Sequence, residues 1–142
     1  MARNVAPLRL LAEDADDIGV ISAALQDAVI KVGDIRLEPA ARRLTLVFNR
    51  YRWEAGRGQR VRSALQLGSV LDVKARKIRR DAKDAVLELL ALTFEINDAP
   101  GGVVNFNFAG GGDLRAHVEC IEAVLADVSA PWPTPRTPVH GT

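Results

Sequence analysis

The stretch Leu44-Thr45-Leu46-Val47-Phe48-Asn49-Arg50-Tyr51-Arg52-Trp53 decides how this chain is read. Leu44, Leu46 and Phe48 recur in steps of two, the period of a strand with one apolar face. Continued, the same step puts Arg50 and Arg52 on the face of Leu44, and Tyr51 and Trp53 on the other. A one-residue bulge near Val47–Asn49 would reconcile the two halves. Upstream, Ile35 and Leu37 alternate as far as Pro39, and Ala40–Arg43 form a turn. Downstream, Gly56-Arg57-Gly58-Gln59 reads as a loop, and Val61, Ser63, Leu65 and Leu67 make the next strand face, broken by Gly68.

The period of two persists beyond Gly68. Leu71, Val73 and Ala75 form another strand face, and the polar run Arg79–Asp84 connects to Val86–Ile96. That segment is the most apolar strand and is expected to be central and covered on both sides. Asn97–Gly101 make a turn. Val104, Phe106 and Phe108 pair with Leu114, Ala116 and Val118 around the hairpin turn Gly110–Gly112.

Two segments carry the helical period. After a short strand at Pro7–Ala12, Asp14 caps a helix whose stripe is Ile18, Ile21, Leu25, Val29 and Val32, stopped at Gly33. Asp16 and Asp17 belong to that acidic first turn and not to a metal cluster. A second helix is expected over Glu119–Ser129, with Ile121, Val124, Leu125 and Val128 inward. Pro131, Pro133, Pro135 and Pro138 make residues 130–142 a proline-rich tail, in which the Trp132 ring is expected to pack on the domain. The expectation is one α+β domain over residues 1–129. Its sheet is curved and mostly antiparallel, or a partly open barrel, with an N-terminal and a C-terminal helix in a pleckstrin-homology-like topology.

Charge is distributed unevenly along an almost neutral chain of net charge +1. Arg36–Lys83 holds fourteen Lys and Arg against four acids, Glu38, Glu54, Asp72 and Asp81. Such an excess marks a surface for phosphates, anionic lipids or an acidic partner. The sharpest candidate is Arg50, Arg52, Arg57, Arg60 and Arg62. Arg50 and Arg52 share a strand face, Arg60 and Arg62 lie across the hairpin, and guanidinium groups hold carboxylate or phosphate bidentately. The competing reading is a solvated sheet face paired with Glu54 and the acids of the two helices. A second basic run, Lys74, Arg76, Lys77, Arg79, Arg80 and Lys83, opens nucleic acid as an alternative if both runs share one face.

Other chemistry is thinly supported. One cysteine, Cys120, rules out an internal disulfide framework. It stands three residues from His117, and the other histidine, His140, lies in the tail, too few ligands for zinc. Cys120 has no evident base and reads as an inert thiol at a helix start. Gly56-Arg57-Gly58 lacks the third glycine of a dinucleotide loop. No apolar run has the length of a signal peptide core or a membrane span, so a cytoplasmic setting is expected. No catalytic motif, metal set or cofactor motif is present.

Several words resemble a known family: Leu8-Arg9-Leu10-Leu11-Ala12-Glu13-Asp14, Ile21-Ser22-Ala23-Ala24-Leu25-Gln26-Asp27-Ala28, Phe48-Asn49-Arg50-Tyr51-Arg52-Trp53-Glu54, Val61-Arg62-Ser63-Ala64-Leu65, Phe108-Ala109-Gly110-Gly111-Gly112 and Val118-Glu119-Cys120-Ile121. Together they resemble a small bacterial family catalogued as domain of unknown function 2948. The resemblance spans nearly the whole chain up to the proline tail. It implies a bacterial cytosolic setting and carries no activity, cofactor or catalytic residue. The expected function is a non-catalytic binding module whose basic strand-loop face engages an anionic partner, a protein in preference to a phosphate ligand. Nucleic-acid binding comes next, and an enzyme third.

Overall fold

The computed structural model describes residues 6–55 and 58–135. Among them are eleven strands: β1 (Arg9–Ala12), β2 (Val29–Lys31), β3 (Ile35–Glu38), β4 (Arg43–Tyr51), β5 (Gln59–Leu67), β6 (Val70–Arg76), β7 (Val86–Ile96), β8 (Gly102–Phe108), β9 (Asp113–Val118), β10 (Ala123–Asp127) and β11 (Trp132–Pro133). One α-helix, α1 (Ala15–Ala24), is joined by three 3-10 turns at Val32–Asp34, Pro39–Ala41 and Trp53–Ala55. All the strands belong to one antiparallel sheet in the order β1-β10-β5-β4-β2-β7-β8-β9-β6, with β11 added to β5 and β3 to β4. The sheet curls around a core that draws on nearly every strand: Leu44, Leu46 and Phe48 from β4, Leu65 from β5, Phe106 and Phe108 from β8.

Alternation builds this curve, and along β4 and β5 it does not invert. β4 and β5 pair without a break from Leu44↔Leu67 to Tyr51↔Arg60. The expected bulge near Val47–Asn49 is therefore absent, and Arg50 follows Phe48 straight into the interior. Both are fully buried.

The fold class expected from sequence, an α+β domain with a helix at each end, is corrected. Residues Ala123–Asp127 form β10, held between β1 and β5, with Ala123, Leu125 and Asp127 inward. The closing C-terminal helix does not exist, and the pleckstrin-homology-like topology that depended on it falls with it. The N-terminal helix is real but ends at Ala24. Its cap is as read: Asp14 accepts from the Asp17 N–H at 2.8 Å. Asp27 then takes a left-handed φ of 61°, tolerated by Asp, and β-branched Val29 and Ile30 continue as strand. Ile18, Ile21 and Leu25 are buried against the sheet, mainly over β7. There Ser22 Oγ accepts from the Leu92 N–H at 3.0 Å, beyond the point where β2 stops pairing with β7.

β7 is central, yet its second face is open: Val86 and Leu90 are exposed. The Gly110–Gly112 turn joins β8 to β9 as expected, with positive φ at Gly110 and Gly111. Part of the proline-rich tail is regular, because Trp132 pairs with Arg60 and Pro133 with Gln59. No helix among the described residues is long and apolar enough to cross a membrane.

Candidate functional site

Of the five arginines expected to form one site, the four among the described residues divide between the two sides of the sheet. Arg50 is inward. Its pairing with Val61, and that of Phe48 with Ser63, brings it over Ser63; the pairing of Ser63 with Asp127 adds the carboxylate. Arg50 Nε donates to Ser63 Oγ at 2.9 Å and to Asp127 Oδ1 at 3.1 Å. Its Nη2 donates to both Asp127 oxygens and, at 2.7 Å, to Glu54 Oε2. Nη1 donates to Glu54 Oε1 at 2.9 Å and to the Tyr51 carbonyl at 3.3 Å. The 3-10 turn Trp53–Ala55 folds the chain back over the end of β4 and so delivers Glu54 to Arg50. The Arg50 side chain has no exposure, Asp127 has 2% and Glu54 has 29%.

The electrostatics follow from that enclosure. Burial pulls the Arg50 guanidinium toward neutrality, but the hydrogen bonds to Glu54 and the charge of Asp127 outweigh it and raise its pKa. Burial likewise pushes the Glu54 carboxyl up, and the Arg50 hydrogen bonds, aided by nearby positive charge, prevail and hold it below the usual carboxylate value. All five guanidinium protons of Arg50 have acceptors within the fold, so its donors are already occupied. Arg52 is also buried; its Nη1 donates to Gln59 Oε1 at 2.7 Å across the base of the hairpin.

Arg60 and Arg62 occupy the outer face. Arg60 Nη1 reaches the Asn49 carbonyl at 3.4 Å. The Arg62 side chain is 43% exposed, and among the described residues it makes only long contacts, to Asn49 Oδ1 at 3.5 Å and Asp34 Oδ2 at 3.7 Å. Arg57 lies outside the described residues. The competing reading named Glu54 and the acids of the two helices as partners; Glu54 and Asp127, which falls within the span expected to be the second helix, do pair with Arg50, though in the interior and from a turn and a strand. The second basic run is on β6 and the loop after it, at the opposite end of the sheet order.

Arg62 borders a surface whose centre alternation fills with small apolar side chains. Val47 pairs with Ala64, Ala64 with Ala126, and Ala126 with Arg9. In the next row Val124 faces Gln66 and Leu11, and Leu11 is exposed. Val128 is exposed beside Arg62, whose carbonyl accepts the Val128 N–H. Among the described residues these strands contact mainly their own sheet neighbours, and α1 lies against β7 and β1. A shallow hollow of about 80 Å³ on this face is lined by Val29, Val47, Asn49, Arg62 and Val86 together with Asp34.

The other reactive side chains turn to separate partners. Asp113 accepts from Arg76 at 2.6 Å, His117 faces Asp72 at 3.7 Å, and Cys120 Sγ lies 3.8 Å from Ser69 Oγ. Cys120 sits half-buried between β9 and β10, not at a helix start. Among the described residues no three His, Cys, Asp or Glu stand close enough to hold a metal ion. His140 lies outside the described residues.

Asp127 and Ser63 were not singled out from sequence. Their signal was the period of two: Ser63 is the one polar member of the face Val61, Ser63, Leu65, Leu67. Asp127 follows Ala123 and Leu125 at the same step.

Comparison with curated proteins and with solved structures returns no match to either. A family model does match, over residues 8–140, and the chain accordingly belongs to the family described as "Protein of unknown function (DUF2948)".

Proposed function

We propose that this chain is a non-catalytic binding module, and that the outer face of β10, β5 and β4 docks an acidic protein segment. The observation that supports it is a sheet face that no other described element covers, with a small-residue apolar centre, Val47, Ala64 and Ala126, bordered by Arg9, Arg60 and Arg62. A protein segment gains there from apolar burial at the centre and from charge at the rim, the usual division of an interface. A small phosphate would compete for Arg62 against Asp34, 3.7 Å away, with charge alone. A base-stacking role for Tyr51 meets a steric objection, since its ring is buried against Trp53 with centroids 4.7 Å apart.

Charge reversal tests this reading. Arg60→Glu/Arg62→Glu should leave stability within about 1 kcal/mol, because both side chains are half-exposed and weakly paired. In pull-downs at about 50 and about 200 mM salt, the wild type should retain an acidic protein more strongly at the lower salt, and the variant should lose it. Equal retention by both forms would refute the reading, and nucleic acid as the retained species would replace it.

A further inference from the structure

A second site lies on the other side of β4. A cavity of about 230 Å³ opens between β3 and β6. Ile35 and Leu37 form one wall, Val73 and Ala75 the other, and Leu44 and Leu114 the floor. Every side chain lining it is aliphatic except that of Arg80.

The slot is framed by the backbone. Among the described strands β3 pairs only with β4, and β6 only with β9, so each turns an unpaired edge toward the gap. One end is held by the Val70 N–H donating to the Arg42 carbonyl at 2.9 Å. The other is held where the Gly33 N–H donates to the Lys83 carbonyl at 2.8 Å and the Val32 N–H to Ala85 at 2.9 Å. These contacts keep β3 and β6 apart at a fixed spacing, and Leu37 remains exposed within the gap.

Arg80 is exposed, and among the described residues no carboxylate lies within ion-pairing distance of it; its neighbour Arg79 is the one that pairs with Asp81, at 3.8 Å. An aliphatic slot with one uncommitted guanidinium matches an amphiphile with an apolar tail and a single anionic head. The volume is below the roughly 300–1,000 Å³ of drug-sized sites, which selects one short chain over a two-chain lipid. A single arginine with no cradle of backbone N–H groups suits a carboxylate better than a dianionic phosphate. We propose that this slot binds an unbranched medium-chain carboxylate, its alkyl chain between β3 and β6 and its head group on Arg80. The site is separate from the outer sheet face and does not depend on it.

Decanoate, kept below its micelle concentration, is the probe. In a heteronuclear NMR titration of the whole chain, it should produce saturable shifts at Ile35, Val73, Ala75 and Leu114, with Val47, Ala64 and Ala126 unmoved. Decanol, and decanoate with Arg80→Gln, should each bind about tenfold more weakly. Ala75→Leu should abolish the shifts by filling the slot, with amide dispersion reporting that the variant is folded; Val73→Leu serves the same purpose if it is not. The wild-type titration decides by itself: no saturable shift at the slot residues overturns the proposal. Equal affinity of decanoate for the wild type and Arg80→Gln overturns the assignment of the head group.

Discussion

Arg50 shows how much one residue depends on chain far from it. The period of two through Leu44, Leu46 and Phe48 already put Arg50 on the inner face. The bulge expected near Val47–Asn49 would have moved it off that face, whereas a lone buried arginine is costly. The acceptors that make burial tolerable are Glu54, brought back by a 3-10 turn, and Asp127, 77 residues further on. Neither was visible in the strand itself. Had Arg50 been exposed, replacing it would have been nearly neutral. Buried, Arg50→Met leaves Asp127 without its counter-charge and should cost about 3–5 kcal/mol, read as a lower urea midpoint at unchanged slope. The pH dependence has a definite sign. Glu54 has a folded pKa below its ordinary 4.5, so its contribution is present above that value and is lost as pH falls through the lower folded one. The raised pKa of Arg50 works at the alkaline end, where its contribution is lost only as pH rises through that raised value, far from neutrality. Urea midpoints followed from about pH 6 to about pH 3 should therefore fall, and Glu54→Gln should flatten that acid limb. A limb of the same steepness in the variant would place the acid sensitivity in other carboxylates.

At the scale of elements, the long alternating strands were legible and the short C-terminal one was not. β4, β5, β8 and β9 each show several turns of one period. In Glu119–Ser129, by contrast, Ile121, Val124, Leu125 and Val128 satisfy a helical stripe, while Ala123, Leu125 and Asp127 satisfy a strand. Five residues of period two do not outvote the alternative; pairing with β1 on one side and β5 on the other does. The two readings rank neighbouring residues in opposite order. As a strand, Ala123 is inward, so Ala123→Leu should cost about 1–3 kcal/mol by overpacking. Val124 is outward, so Val124→Ser should change stability by about 0.5 kcal/mol or less. Thermal or urea denaturation of the pair checks the order. The helix α1 was overextended for a related reason: the Val29 and Val32 spacing fits its stripe, but β-branched residues after the left-handed Asp27 pair with β7 instead. Its buried stripe nonetheless holds at Ile18, Ile21 and Leu25, and Leu25→Ala should cost about 2–5 kcal/mol.

The whole molecule sorts its arginines by side of the sheet. The run of positive charge in the sequence was a true feature of composition, but period two sends alternate members in opposite directions. Arg50 goes to a buried ion cluster, and Arg60 and Arg62 to the outer face. That sorting requires the register of three strands at once, which is why the candidate site was only partly legible. The central claim is that the outer face of β10, β5 and β4 is where a partner docks. Its most direct test places a photo-crosslinking residue at Ala64 in cells, with a second at the exposed Leu90 on β7 as reference. The account predicts a discrete adduct with an acidic protein from position 64, none from position 90, and loss of the adduct when Arg60→Glu/Arg62→Glu is added. Equal adducts from both positions, or an adduct at 64 that survives the charge reversal, would contradict it.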